Sequence, residues 1–359
     1  MMRGRDHPLY ADAPRTDVRV TFLGDTLIGG EAQDVIDERG ADWMFDGIRH
    51  LFATSDLVVV NHEGPVTSRE VPASKLVTGR KRYWYRALPS SVSALTEAGV
   101  RVVSLGNNHV LDFGPEALAD TIAALDEAGI AHCGAGMTRR AARRPAIVRA
   151  GPLRFGFLSF MQRYEIYVAE EVYASRERPG SMRLSVRRAQ ADLASLASRV
   201  DVSVALAHWG RNYRRPNGRQ RRLASELVAA GADLVIGHHP HVAQPLSLVD
   251  GVPVFFSLGN GPLGTPGRFH SGRQPYGLVV SIDLDPAARI RRIGVTAILV
   301  DNGEVGFRPQ IAQSDEALEL LRTLLPGVLD WTPNDDGGLS AELLEGSIRE
   351  RVSAGSSSR

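Results

Sequence analysis

Short, uninterrupted apolar runs rich in β-branched residues alternate with helix-patterned stretches over most of this chain. The runs are Val18–Leu23, Leu57–Val60, Val102–Leu105, Phe155–Phe160, Val202–Ala207, Leu234–Ile236, Val254–Leu258, Leu278–Ile282 and Val295–Val300. Helical patterns lie near 31–53, 89–98, 115–128, 183–198 and 219–230. A strand with one wet face alternates apolar and polar residues. These runs do not, so both faces of each must be covered. The later strands succeed one another without helices, which predicts antiparallel pairing there. The pattern therefore predicts an α/β layered sandwich rather than a purely parallel doubly wound sheet.

At 359 residues the chain can bury one large core, or one core with a modest appendage. Lysines and arginines number 42 against 41 acids, a net charge of +1, so no global charge recruits nucleic acid or an anionic membrane surface. A single cysteine, Cys133, excludes an intrachain disulfide and fits a reducing compartment. The opening MMRGRDHPLYADAPRTD has no apolar signal region, and no later stretch reads as a membrane span; the expected location is cytoplasmic. Residues 162–180, with Tyr164, Tyr167, Tyr173 and an RERPG turn, break the rhythm and read as a surface insertion or lid. After about 311, DEALELLRTLL and SAELLEGSIRERV read as helical, and GSSSR as a tail. The expected organisation is a flexible 1–16, a domain over 17–310, and a helical extension with disordered tail over 311–359.

The residues directly after each apolar run carry the chemistry. VTFL leads into Gly24-Asp25, LVVV into Asn61-His62-Glu63, and VVSL into Gly106-Asn107-Asn108-His109. VALA leads into His208-Trp209-Gly210, LVI into Gly237-His238-His239-Pro240-His241, and VFFSL into Gly259-Asn260. Ligands of α/β sheets sit at the carboxyl ends of strands. Imidazole nitrogen with carboxylate oxygen suits Zn, Mn or Fe. A lone histidine after a strand is more often a structural hydrogen-bonder, and Asp25 or Glu63 alone would be a turn or surface residue. His-His-Pro-His is different, because three imidazoles in four residues have little packing purpose. Past His208, Arg211 and Arg214 begin a cationic stretch whose guanidinium forks match phosphate or carboxylate. Arg139, Arg140, Arg143 and Arg144 read as a solvated turn. No G-x-S-x-G elbow supports a serine nucleophile.

Over residues 18 to 260 the stretches TFLGDTLIGG, VVVNHEGPVT, YWYRALPSSVSALTEAGVRVVSLGNNHVLDFG, HWG, ELVAAGADLVIGHHPHVAQPL and PVFFSLGN resemble the bacterial CapA family of capsule or poly-γ-glutamate synthesis proteins. The resemblance implies the layered αββα sandwich of calcineurin-like metallophosphoesterases and two divalent metal ions, Mn, Zn or Fe. It makes Asp25, Glu63, Asn108, His208, His239 and His241 the metal ligands, with Glu63 in the bridging place. His109 becomes the catalytic acid, held by Asp112. Asn61, Asn107, His238 and Asn260, with Arg211 and Arg214, are expected to contact an anionic small-molecule or peptide-like substrate. Three positions depart from the usual patterns: Leu27 stands where metallophosphoesterases carry a histidine, Asn212 replaces the acid of HWG-x-E-Y, and Gly261 replaces the Phe of SLGNF. Three functions are compatible with these residues: a hydrolase of a phosphoester or amide, a biosynthetic enzyme or accessory for a γ-glutamyl product, or a binding module with a weakened site.

Overall fold

The structure is a computed structural model that describes residues 17–75, 83–265 and 274–343. The expected flexible 1–16 and the GSSSR tail lie outside the described residues. In chain order the strands that matter here are β1 (Val18–Leu27), β2 (Leu57–His62), β3 (Val100–Ser104), β4 (Ala131–Cys133), β5 (Ala146–Ala150), β6 (Leu153–Met161) and β7 (Val202–His208). They continue with β8 (Leu234–His238), β9 (Ala243–Val249), β10 (Val252–Leu258), β11 (Asn260–Leu263), β12 (Tyr276–Leu284), β13 (Ile290–Leu299) and β14 (Leu339–Glu342). The main helices are α1 (Gln33–Arg39), α2 (Val92–Glu97), α3 (Pro115–Glu127), α4 (Val186–Ala197), α5 (Gly218–Ala229) and α6 (Asp315–Leu324). All nine apolar runs are strands.

The strands form two large sheets. A ten-stranded sheet runs β14-β13-β12-β1-β2-β3-β4, with β11 on β1 and two short strands, Thr332–Pro333 and Gln310–Ile311, at β14 and β13. A six-stranded sheet runs β9-β10-β8-β7-β6-β5. Parallel pairs occupy the first half of the large sheet, and β12, β13 and β14 pair antiparallel as expected.

Side-chain alternation explains the burial. Leu57 and Val59 of β2 join a cluster that also takes Phe22 of β1, Phe157 of β6, Val204 of β7, Ile236 of β8 and Leu321 of α6. Val58 and Val60 point the other way, into a cluster with Ile36 of α1, Leu95 of α2 and Leu118 of α3. The far face of the small sheet packs Leu158, Ala205 and Val235 against Leu193 of α4 and Leu227 of α5. Each such side chain contributes roughly 1.5–3 kcal/mol when fully buried, which is why the runs contain no polar interruption.

Two expectations need correction. The 31–53 pattern is not one helix: Gly40, at φ 89°, ends α1, and Trp43–Asp46 with a 3₁₀ turn at Arg49–Phe52 completes the segment. SAELLEGSIRERV does not begin as a helix, because Ser340–Glu342 belong to β14, paired antiparallel with β13, where the edge of a sheet outweighs helical propensity. DEALELLRTLL is helical as α6, capped by Ser314. No helix among the described residues is long and apolar enough to cross a membrane.

Candidate metal centre

The parallel strands of both sheets deliver their carboxyl ends to one place. Asp25 lies near the end of β1, in register with Asn61 of β2 and beside Asn260 of β11. His208 and His238 end β7 and β8 in register with each other. Gly24 is required here: a Cβ on it would lie 2.1 Å from the Gly259 carbonyl, where the chain crosses so that Asp25 N donates to Gly259 O at 2.9 Å. After β8 the backbone turns through two left-handed histidines, His239 at φ 95° and His241 at φ 57°. Non-glycine residues rarely adopt that region, and in them it clusters at functional sites. His239 N donates to Asp25 Oδ2 at 3.1 Å and His238 Nε2 meets Leu23 O at 3.3 Å, two bonds from the His-His-Pro-His turn to β1.

Five of the six expected ligands meet one another directly. Ligand atoms of Asp25, Glu63 and His241 lie within 4.8 Å of one another, all buried. His241 Nδ1 is 3.3 Å from Asp25 Oδ2, and His241 Nε2 is 3.9 Å from Glu63 Oε2. On the other side of Glu63, His208 Nε2 lies 3.5 Å from Glu63 Oε1 and 2.9 Å from Asn108 Oδ1. The sixth, His239, lies beside them with its ring centroid 4.6 Å from that of His208 and 6.2 Å from that of His241.

Electrostatically this cluster is incomplete as a set of protein groups. Glu63 is 0% exposed, yet neither of its carboxylate oxygens has a hydrogen-bond partner among the described residues. Burial drives its pKa well above the usual carboxylate range, and the charges of Asp25 and Asp112 push the same way. His208 Nδ1 and His239 Nδ1 are also buried and unpartnered among the described residues. Burial first, and then neighbouring histidines, hold both imidazoles well below their usual pKa, so both are neutral with lone pairs to offer. Buried polar atoms without partners are uncommon because each costs about 1–3 kcal/mol. Asp25, Glu63 and His241 could hold a divalent cation, which would compensate the buried carboxylates.

His109 sits differently. Its Nδ1 lies 2.8 Å from Asp112 Oδ2, which also accepts from Tyr85 N at 2.8 Å, while Lys75 Nζ lies 2.7 Å from Asp112 Oδ1. The Tyr85 ring stacks on the imidazole at 4.0 Å between centroids. Burial lowers the His109 pKa, against the opposing pull of Asp112.

The residues expected at substrate divide. Asn61, Asn107, His238 and Asn260 are each 2% exposed or less and already occupied. Asn61 Nδ2 donates to Asp25 Oδ1 at 2.8 Å, Asn107 Nδ2 donates to His62 O at 2.7 Å, and Asn260 Oδ1 lies 2.9 Å from His241 Nδ1. These hydrogen bonds tie the four side chains to the strand ends around the cluster. Arg211 and Arg214 are exposed just past His208. The 162–180 segment is less detached than a surface insertion: Tyr164 donates to Gly210 O at 2.7 Å, and its ring centroid lies 5.5 Å from that of His239. Two residues at the site, Lys75 and Tyr85, escape a reading of the sequence. Lys75 has no sequence signal; Tyr85 lies within the YWYRALPSS stretch, but nothing there tells its role.

A family model described as bacterial capsule synthesis protein PGA_cap matches residues 19–261. The chain is 30% identical over 246 residues to the capsule biosynthesis protein CapA of Bacillus anthracis, covering 67% of this chain and 58% of that protein. It is 29% identical over 243 residues to the PGA biosynthesis protein CapA of Bacillus subtilis (strain 168), covering 67% and 62%. A probable polyglutamine synthesis accessory protein of Mycobacterium tuberculosis is 36% identical over 216 residues, covering 57% and 55%. The matched region thus spans about three fifths of the length of these curated relatives.

Proposed function

This chain belongs to the bacterial capsule synthesis protein PGA_cap family, and on that premise we propose that it is a metal-dependent hydrolase with the layered αββα sandwich of metallophosphoesterases. Two divalent ions, Mn, Zn or Fe, are held by its strand ends, one by Asp25, Glu63 and His241, the other by Glu63, Asn108, His208 and His239. The observation that carries the reading is Glu63, buried with both oxygens unpartnered among the described residues, between those two half-sites. Neutral imidazoles and carboxylates are the donors these metals prefer.

When bound, such ions supply Lewis acidity and make a water ionisable near neutral pH. The chain's own residues supply the rest. His109 donates its Nδ1 proton to Asp112, which leaves Nε2 to exchange a proton with the leaving group. Lys75 and Tyr85 N fix Asp112, and so fix the imidazole. Tyr164 and the 162–180 segment act as the lid over His239. Arg211 and Arg214 bind the anionic end of the substrate. The catalytic unit is 17–310, with the remainder as an extension.

The names of the relatives support an amide-linked acidic polymer as the substrate class, with a phosphoester as the alternative electrophile. A second reading, an accessory that binds without turnover, is favoured by Asn212 standing where the family pattern carries an acid. The test is metal analysis of purified protein and then chelator-sensitive turnover of γ-glutamyl amides and phosphoesters. Near-stoichiometric metal, lost in a His239→Ala/His241→Ala variant, is expected. An ordered native protein that takes up no Zn, Mn or Fe overturns the proposal; metal without turnover selects the accessory reading.

A further inference from the structure

The arginines that read as a solvated turn do something else in the fold. Thr138 accepts from Ala141 N at 3.2 Å to cap a single helical turn, and Arg139 N donates to Ser175 O at 2.6 Å, which pins that turn to the 162–180 segment. Guanidinium groups from three separate stretches then meet around one cavity of about 410 Å³. Arg139, Arg140, Arg143 and Arg144 come from the turn, Arg176 from the segment, and Arg199 from just past the end of α4. None of the described lining residues belongs to the candidate metal centre.

Six guanidinium groups face one acid among the described lining residues, an excess of five positive charges. That acid, Asp192, is gripped in a fork by Arg143, Nε at 3.1 Å and Nη2 at 2.5 Å. It satisfies Arg143 alone: among the described residues Arg139, Arg140, Arg144, Arg176 and Arg199 form no ion pair. The crowding of charge extends to Arg188, whose pKa is held down by burial first and then by Arg139, Arg183, Arg143 and Arg187. Like charges gathered in a concave site repel one another and concentrate an anion between them.

We propose that the cluster is a binding site for a small diphosphate, an anion of two linked phosphate groups, separate from the metal centre. A phosphate group brings roughly two charges and three acceptor oxygens, where a carboxylate brings one charge and two oxygens. Asp192 takes up one arginine, so carboxylates would have to enter five at a time to match the rest. Two phosphates approach that charge in far less space. Guanidinium forks fit pairs of phosphate oxygens, and Ser195 adds a hydroxyl to the lining. Leu158, Leu196 and Pro145 supply apolar lining, which suits the organic part of a diphosphate ester such as a nucleoside diphosphate. Binding here stands on the arginine geometry and does not depend on the metal-centre reading.

The experiment is isothermal titration calorimetry of inorganic pyrophosphate into the full chain, with ADP and glutarate titrated at the same ionic strength. Pyrophosphate should occupy one site per chain that persists in the His239→Ala/His241→Ala protein, at least about tenfold more tightly than glutarate. Arg140→Gln/Arg144→Gln should raise its Kd at least about tenfold, the equivalent of one charge-assisted hydrogen bond. Asp192→Asn should lower Kd, because it releases Arg143 to the ligand. Arg149→Gln/Arg222→Gln, which removes the same charge from exposed positions outside the cavity, should leave Kd unchanged. ADP binding as tightly as pyrophosphate identifies an ester as the ligand, whereas pyrophosphate binding with ADP excluded identifies the free anion. Unchanged affinity in the Arg140/Arg144 variant overturns the proposal, as does glutarate binding as tightly as pyrophosphate. An equal loss in the Arg149/Arg222 variant also overturns it, by reducing the effect to net charge. Loss of pyrophosphate binding in the His239/His241 variant would move the anion to the metal centre and overturn it too.

Discussion

Glu63 has no donor for either carboxylate oxygen among the described residues, whereas Asp112, buried nearby, has His109, Tyr85 N and Lys75 around it. That contrast separates two roles for buried acids. Asp112 has its partners, which suits the positioning role proposed for it. Glu63 lacks such partners among the described residues, and in the proposed centre a cation completes it. In metal-free protein, Glu63→Gln should therefore raise the unfolding midpoint, by removing a buried carboxylate charge that burial, Asp25 and Asp112 all disfavour, while abolishing stoichiometric metal. A metal-free Glu63→Gln protein less stable than the metal-free parent would show that the carboxylate has partners of its own. His109→Asn should behave in the opposite way. The neighbouring Asn108 points at His208, whereas His109 Nδ1 points at Asp112, so the two cannot serve one role. Metal content should be kept and turnover should fall by about a hundred- to ten-thousand-fold, less for a nitrophenolate leaving group that needs no proton. Loss of metal in that variant would make His109 a ligand instead.

At the scale of elements, the site is built by how strands end. The β8 strand stops in a turn where His239 and His241 both take left-handed backbone, and from that turn His241 Nε2 comes within 3.9 Å of Glu63 Oε2, just past the end of β2. The β1 strand reaches the same point because its register shifts between Phe22 and Asp25 and because Gly24 lets the Gly259 backbone pass. In the proposed centre the half-site of Asp25, Glu63 and His241 lacks the histidine for which Leu27 stands, whereas Asn108, His208 and His239 join Glu63 in the other. Stepwise dialysis against chelator should therefore release one equivalent of metal before the second, and His241→Asn should remove only the first. Two equivalents leaving together, in both proteins, would contradict the inequality.

For the whole molecule the consequence is mechanical. Asp25, Glu63 and Asn108 come from the large sheet's strand ends, His208, His239 and His241 from the small sheet's. A metal bound between them ties one sheet to the other. Chelation should lower the unfolding temperature, with readdition restoring it, because ligand present at about a thousand times its Kd stabilises the folded state by roughly 4 kcal/mol. An unfolding temperature insensitive to chelator would mean that the sheets are held by their shared apolar cluster alone.

Much of this molecule is legible without its fold. Continuous apolar runs locate nine of the strands, because a strand covered on both faces leaves no polar position to hide the signal. The polar residues after those runs mark the site, since a strand's carboxyl end is where the chain leaves the hydrophobic layer. Sequence spacing carries no account of what each polar residue touches. Asn61 and Asn260 prove to be bonded to Asp25 and His241, and Lys75 becomes a partner of Asp112 from a loop with no signal. Four arginines with the pattern of a solvated turn line a cavity because Arg176 and Arg199 arrive from elsewhere. The reason is the range of the information. Periodicity over a few residues fixes which face of an element is buried, so the sequence determined the strands and their endings. The meeting of His239 with Asp25, 214 residues apart, depends on how two sheets pack, and only the tertiary structure decided it.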